Sequence, residues 1–222
     1  MIIKKITIFT LLFSSITFFY VALFYLVTPV AKLSNHFPHR QVNNPFKLSL
    51  KSFPPDNWTS LKKIPKLFQR IIIFSEDGKF YQHSGFDFYE LKEAIKKFLT
   101  NGRSLRGAST ISQQVVKNIF LSHRRSYIRK FHEIILTYKM ERHLSKKRIL
   151  EIYLNIAEFG PDKFGIKEGA RHFFTKSPLK LTVHEMAFLV SILPYPKNYQ
   201  HYKNLTKRKI ERLLRHLRWR HL

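Results

Sequence analysis

From Ile6 to Ala31 the chain carries no charged residue. Such a run exceeds the roughly 20 residues a helix needs to cross a bilayer. It is longer than the apolar core of a secretory signal and lacks a clear small-x-small cleavage site, which predicts an uncleaved signal anchor over residues 6–31. Residues 1–5, with Lys4 and Lys5, then form a cytoplasmic stub, and the remainder is exported. Residues 32–63 contain Pro38, Pro45, Pro54 and Pro55 without a strong period. They read as an irregular linker that runs into the start of a domain.

Beyond this point the apolar spacing turns helical. Ile64–Ser75 predicts a helix with Pro65 in its first turn, stopping at Glu76-Asp77-Gly78. Asp87 with Glu90 marks another start, and Asn101-Gly102 its end. Ser109 marks a further helix start, preceding Ile111, Val115 and Ile119 at helical spacing. Tyr127–His143 predicts a longer helix whose apolar stripe is Phe131, Ile134, Ile135 and Tyr138. Ser145 opens Lys146–Ile156. Thr182 and Glu185 form a capping box before Met186–Leu193, which Pro194 and Pro196 terminate. Residues 201–222 form a basic amphipathic helix with Leu205, Ile210, Leu213, Leu214 and Leu217 on one side; a core-facing stripe and a contact with anionic lipid both fit it. No run alternates convincingly as a strand, so the domain over residues 64–200 reads as mainly α.

Charge narrows the partners. The chain has 40 Lys and Arg against 14 Asp and Glu, a formal +26. Such a surface attracts nucleic acid, anionic lipid or phosphate-bearing substrates. No base-reading module is recognisable, and the anchor favours partners at a membrane. With no cysteine, disulfides and thiolate metal sites are excluded.

Three constellations carry candidate chemistry. Glu76-Asp77-x-x-Phe80-x-x-His83-x-Gly85 places a carboxylate at a helix end beside an apolar run, where it can serve as a proton acceptor. Gly107-x-Ser109-Thr110-Ile111-x-Gln113-Gln114-x-x-Lys117-Asn118 puts polar side chains and a cation on a helix whose free N–H groups favour anions. In it Gln113 and Lys117 are expected on one open face, opposite Ile111, Val115 and Ile119. Arg129-Lys130-x-x-Glu133 lies within one helical turn, close to Arg124 and Arg125; as an intrahelical ion pair it contributes little by itself.

In motif, order and approximate spacing these segments resemble the peptidoglycan glycosyltransferases, the family that also supplies the glycosyltransferase domain of bifunctional penicillin-binding proteins. Ile149-Leu150-Glu151-x-Tyr153-Leu154-Asn155, Phe159-Gly160, Gly165-Ile166 and Leu181-Thr182-x-x-Glu185-x-Ala187 extend the resemblance to about Tyr199. It implies a lysozyme-like helical domain with a smaller membrane-facing lobe. The implied activity is the joining of lipid II units into glycan strands: a lipid-diphosphate-linked glycan passes, with inversion, to the 4-hydroxyl of an acceptor lipid-linked disaccharide. Glu76 corresponds to the general base and Glu133 to the second catalytic carboxylate. Lys117, Arg125, Arg129 and Lys130 match positions lining the diphosphate site; Ser109, Thr110, Gln113, Gln114 and Asn118 match its polar residues. Asp77 and His83 correspond to supporting positions.

No metal site is implied and no cofactor is required, although a divalent cation assisting the diphosphate is compatible with the chemistry. The implied partners are lipid II, the growing lipid-linked strand, membrane lipids, and proteins of division or elongation, with no role for nucleic acid. The implied place is the bacterial cytoplasmic membrane, with the domain on its outer side. Phe98, Leu99 and Leu105 are candidate membrane-dipping residues. Ser-x-x-Lys tetrads occur at Ser60–Lys63 and Ser177–Lys180, but without Lys-Thr-Gly or Ser-x-Asn they point to a monofunctional form. The nearest alternative is a lytic peptidoglycan glycosidase on a related scaffold, which has no use for diphosphate-binding cations.

Overall fold

The computed structural model describes residues 2–41, 44–101, 109–122, 124 and 126–219. It opens on one long helix, α1 (Ile2–Val27), whose part from Phe13 onward belongs to a stretch, Phe13–Ser34, long and apolar enough to cross a membrane. A 3-10 turn at Val30–Ser34 follows, and its Val30 and Leu33 are fully buried in the domain core.

The segment expected to be irregular is instead a hairpin. Strands β1 (Phe37–Gln41) and β2 (Asn44–Lys51) pair antiparallel, with Phe37 opposite Lys51 and Arg40 opposite Leu48. The alternation Lys47-Leu48-Ser49-Leu50-Lys51 is short and masked by the neighbouring prolines. Its two leucines lie on one face of the strand and pack against the core. Arg40 secures the hairpin, its guanidinium 3.2 Å from the Phe164 ring centre and donating to the Ile156 carbonyl at 2.8 Å. Burial lowers its pKa to about 10. A second, smaller hairpin joins β3 (Glu158–Gly160) to β4 (Lys163–Phe164).

The rest is helical: α2 (Lys66–Glu76), α3 (Phe88–Asn101), α4 (Ile111–Phe120), α5 (Tyr127–His143), α6 (Lys146–Ile156), α7 (Ile166–Phe174), α8 (Val183–Ile192) and α9 (Lys203–Trp219). Local side chains set many of the starts. Ser126 and Ser145 accept from the third backbone N–H of α5 and α6, and Asp87 accepts from Tyr89 and Glu90 at the head of α3. Thr182 and Glu185 close the expected capping box, of a kind that contributes about 1 kcal/mol. Helix α8 is buried nearly all round through Met186, Ala187, Leu189, Val190 and Ile192, as suits a central helix; α2 and α9 pack against it, while α4 packs against α5 and α6.

Two amphipathic helices face differently from what their sequence suggests. On α5 the expected core stripe is turned outward: Phe131, Ile134 and Tyr138 are exposed, as are Tyr127 and Ile128. The buried side carries Glu133, Leu136, Thr137, Lys139 and Met140. Hydrophobicity alone assigned the wrong face, because the charged residues inside, Glu133 and Lys139, are held by specific partners. On α9, Thr206, Leu213 and Leu217 are buried while Leu205 is exposed, so its apolar stripe faces the core from Ile210 onward.

Candidate active site

Glu76 is the last residue of α2, and it lies on the wall of a cavity of about 540 Å³. Ser75 of α2, Asp77, Gly78 and Lys79 from the following turn, Ser109 and Thr110 before α4, and Arg212 of α9 share that wall. One carboxylate oxygen of Glu76 is held twice: Oε1 accepts from the Ser75 hydroxyl at 2.9 Å and from the Lys209 ammonium at 3.1 Å. Among the described residues, Oε2 accepts no hydrogen bond. A carboxylate fixed through one oxygen and open at the other is suited to taking a proton from a group placed in the cavity.

A rigid frame stands behind this carboxylate. The Gly85 N–H donates to His83 Nδ1 at 3.1 Å, so Nδ1 is the acceptor and the ring's proton sits on Nε2. That Nε2–H donates to Asp77 Oδ1 at 2.8 Å, while Oδ2 accepts the Ile111 N–H at 3.0 Å. Burial pushes the Asp77 carboxyl above its ordinary range; the bonds from His83 and Ile111, and the charge of Lys146, pull it back. Thr110 Oγ1 donates to the Gly85 carbonyl at 2.7 Å. Gly85 itself has φ +98°, and a Cβ there would come within 2.8 Å of Thr137 Cγ2, so only glycine fits. Beneath them the buried Tyr153 hydroxyl donates to Gln114 at 3.3 Å. Burial raises its pKa well above the usual phenol range, assisted by the charges of Glu76 and Asp77.

The frame changes the roles of the second constellation. Thr110, not Ser109, caps α4, and Gln113 closes the box by accepting from the Thr110 N–H at 3.0 Å. Gln113 is therefore buried and does not share an open polar face with Lys117, contrary to the simple i, i+4 expectation; a cap binds its own helix end first. The anion seated at this helix N-terminus is Asp77. Ser109 stays exposed on the cavity wall, while Gln114, Lys117 and Asn118 are half-buried along α4.

The third constellation forms a separate cluster on α5. Glu133, 2% exposed, accepts from Arg129 Nη1 at 2.8 Å through one oxygen and from Lys130 through the other. Both oxygens are thus committed to cations, and Glu133 holds two positive groups in place. Arg125 lies outside the described residues, as do Arg106, Gly107, Ala108 and Leu105, so the diphosphate and membrane-dipping expectations for them stand apart from this geometry. Of the other dipping candidates, Leu99 is exposed.

Sequence reasoning passed over Lys209 and Arg212. One signal was available: Lys209 lies three residues after Thr206 and four before Leu213, next to the buried stripe of α9. A cation at such a position needs a partner inside the fold. His216, two turns on, stacks on Phe74 with ring centres 3.5 Å apart, so α9 lies against the end of α2.

A family model described as Transglycosylase matches residues 48–218, from β2 to the last turn of α9. Among curated proteins, the chain is 42% identical over 147 residues to a biosynthetic peptidoglycan transglycosylase of Acinetobacter baylyi, covering 66% of each sequence. It is 45% identical over 144 residues to one of Haemophilus influenzae, covering 65% of this chain and 58% of the relative. The chain therefore aligns with about two thirds or less of the length of these relatives. With the matched segment spanning every element that builds the cavity wall, the chain belongs to the transglycosylase family.

Proposed function

We propose that this protein polymerises lipid II into glycan strands. The carrying observation is the Glu76 carboxylate on the cavity wall, fixed through Oε1 by Ser75 and Lys209 and accepting no hydrogen bond at Oε2 among the described residues. In this reading Oε2 takes the proton from the 4-hydroxyl of the acceptor disaccharide. The freed oxygen attacks the anomeric carbon of the donor glycan; the α-linked lipid diphosphate departs and a β-1,4 bond forms with inversion. Negative charge grows on the leaving diphosphate, where fixed cations are most effective. Lys117, Arg125, Arg129 and Lys130 supply them, and Glu133 keeps Arg129 and Lys130 in position. Asp77 and His83 hold the turn that carries Glu76, and Ser109, Gln114 and Asn118 offer polar contacts beside the capping pair Thr110 and Gln113. These cations neutralise the diphosphate without a required cofactor, so polymerisation is expected to persist in a chelator.

Because both substrates are lipid-linked, α1 serves as the anchor that keeps the domain on the outer face of the cytoplasmic membrane. The exposed apolar residues Ile128, Phe131, Ile134 and Tyr138 of α5 add a surface fitted to lipid.

The test is incubation of the purified chain with lipid-linked disaccharide beside Glu76→Gln. Long glycan is expected from the parent, with turnover lower by about 10²–10⁴ in the variant, the usual contribution of a general base. Shortening of finished sacculi without polymer formation would mark the chain as a lytic glycosidase and overturn the proposal.

A further inference from the structure

We infer that Lys139 is a positioning residue that clasps the membrane helix to the catalytic domain, holding the α5 cation pair at a fixed depth beside the bilayer. The inference rests on the proposed use of lipid-linked substrates for its functional consequence, but not for its geometry.

Lys139 is a charged side chain inside the domain, 7% exposed, and the chemistry of the cavity makes no use of it. Its ammonium donates to the backbone carbonyls of Tyr25 and, at 2.8 Å, Thr28, and lies 4.7 Å from the Tyr25 ring centre. Those carbonyls belong to the end of α1, where the last four C=O groups lack partners within the helix. The negative end of the helix dipole is there too, which favours a cation. The domain thus completes the C-terminus of its own membrane helix.

A second contact lies two turns back along α5. The Tyr20 hydroxyl and His132 Nε2 are 2.7 Å apart, and the Phe24 ring stacks on His132 with centres 4.0 Å apart. Both pairs run in the same order along their helices, so α1 and α5 lie side by side and point the same way. The connection beyond is also fastened: Arg148 donates to the Leu33 carbonyl at 3.0 Å and to the His36 carbonyl at 2.9 Å. No free tether separates anchor from domain.

Depth follows from helix geometry. Tyr20 precedes Val27, the end of α1, by a rise of about 10 Å. His132 is at the level of Tyr20, so Arg129 and Lys130, less than one turn before it, face the outer part of the membrane helix. Tyr127, Ile128 and Phe131, all exposed, are carried to the same level.

The chain has no cysteine, which makes the test clean. Phe24→Cys and His132→Cys are combined in the full chain, reconstituted in phosphatidylethanolamine–phosphatidylglycerol vesicles, and treated with a short bis-maleimide. This pair removes the aromatic contact and leaves Lys139 as the clasp under test. Bridging is expected with Lys139 present and about fivefold slower with Lys139→Met, the scale of a cation at a helix C-terminus. In the same vesicles Lys139→Met should raise KM for lipid-linked disaccharide about fivefold with kcat little changed. Completed bridging should restore KM, and Lys139→Arg should behave like the parent.

Absence of bridging with Lys139 present, or equal rates in Lys139→Met, overturns the inference. Should Lys139→Met lose its folded near-ultraviolet spectrum, the Lys139→Arg variant and the bridging yield with Lys139 present decide instead. If bridging follows expectation while the parent makes no polymer, the clasp stands and the proposed function falls.

Discussion

Asp77→Asn isolates the frame behind Glu76 with the smallest change in shape. Asp77 receives two donors, the Nε2–H of His83 on Oδ1 and the Ile111 N–H on Oδ2. A carboxylate accepts both, whereas an amide offers one acceptor and one donor. The His83 ring cannot compensate by moving its proton to Nδ1, because that nitrogen accepts from the Gly85 N–H. One buried donor must therefore face another donor whichever way the amide is turned. Leaving a buried group unsatisfied costs about 1–3 kcal/mol. Asp77 is only 8% exposed, so water offers little relief. Burial already works against its charge, which offsets part of the loss and places the net effect near about 2 kcal/mol. For a domain of this size that corresponds to a fall in apparent melting temperature of roughly 4–8 °C. Thermal unfolding of the detergent-solubilised chain, followed by circular dichroism, reads the shift directly. Polymerisation should also drop at a temperature where the variant remains folded, since the turn carrying Glu76 loses a tie. An Asn variant that melts within 1 °C of the parent would refute the two-donor argument.

Other perturbations have equally definite outcomes. Gly85→Ala adds a Cβ 2.8 Å from Thr137 Cγ2 at φ +98°; strain and overpacking together should cost about 2–4 kcal/mol, read by chemical denaturation. Lys209→Met removes the ammonium from Glu76 and leaves its carboxylate held by Ser75 alone. Loss of orientation should lower kcat by about 10- to 100-fold in a strand-polymerisation assay, with Lys209→Arg retaining more activity than Lys209→Met. Glu133→Gln weakens the hold on Arg129 and Lys130. It should raise KM for the lipid-linked donor and change melting little if the helix stays capped by Ser126, which steady-state kinetics and calorimetry distinguish.

The sequence by itself determined what is decided locally. Helices α5 and α6 begin and end where their caps and periodicity place them, because Ser126 and Ser145 satisfy N–H groups only three residues away. Thr182 and Glu185 do the same for α8. The long apolar N-terminal helix was legible from length and apolarity, and the grouping of Asp77 and His83 beside Glu76 from their motif. Ser109 was misread by one position, since two adjacent hydroxyl residues compete for one cap and only the contact of Thr110 with the Gly85 carbonyl chooses between them.

The rest depended on groups brought together from far along the chain. The hairpin of Phe37–Lys51 exists because its leucines find the core, and prolines hide that from a local reading. The outward face of α5 was decided by partners: Lys139 caps a helix more than a hundred residues earlier, and Glu133 is neutralised inside. Lys209 reaches Glu76 across 133 positions. Hydrophobic spacing measures the average preference of a side chain for water or interior. A buried charge overrides that preference only when its counter-groups are already in place, and tertiary structure alone supplies them.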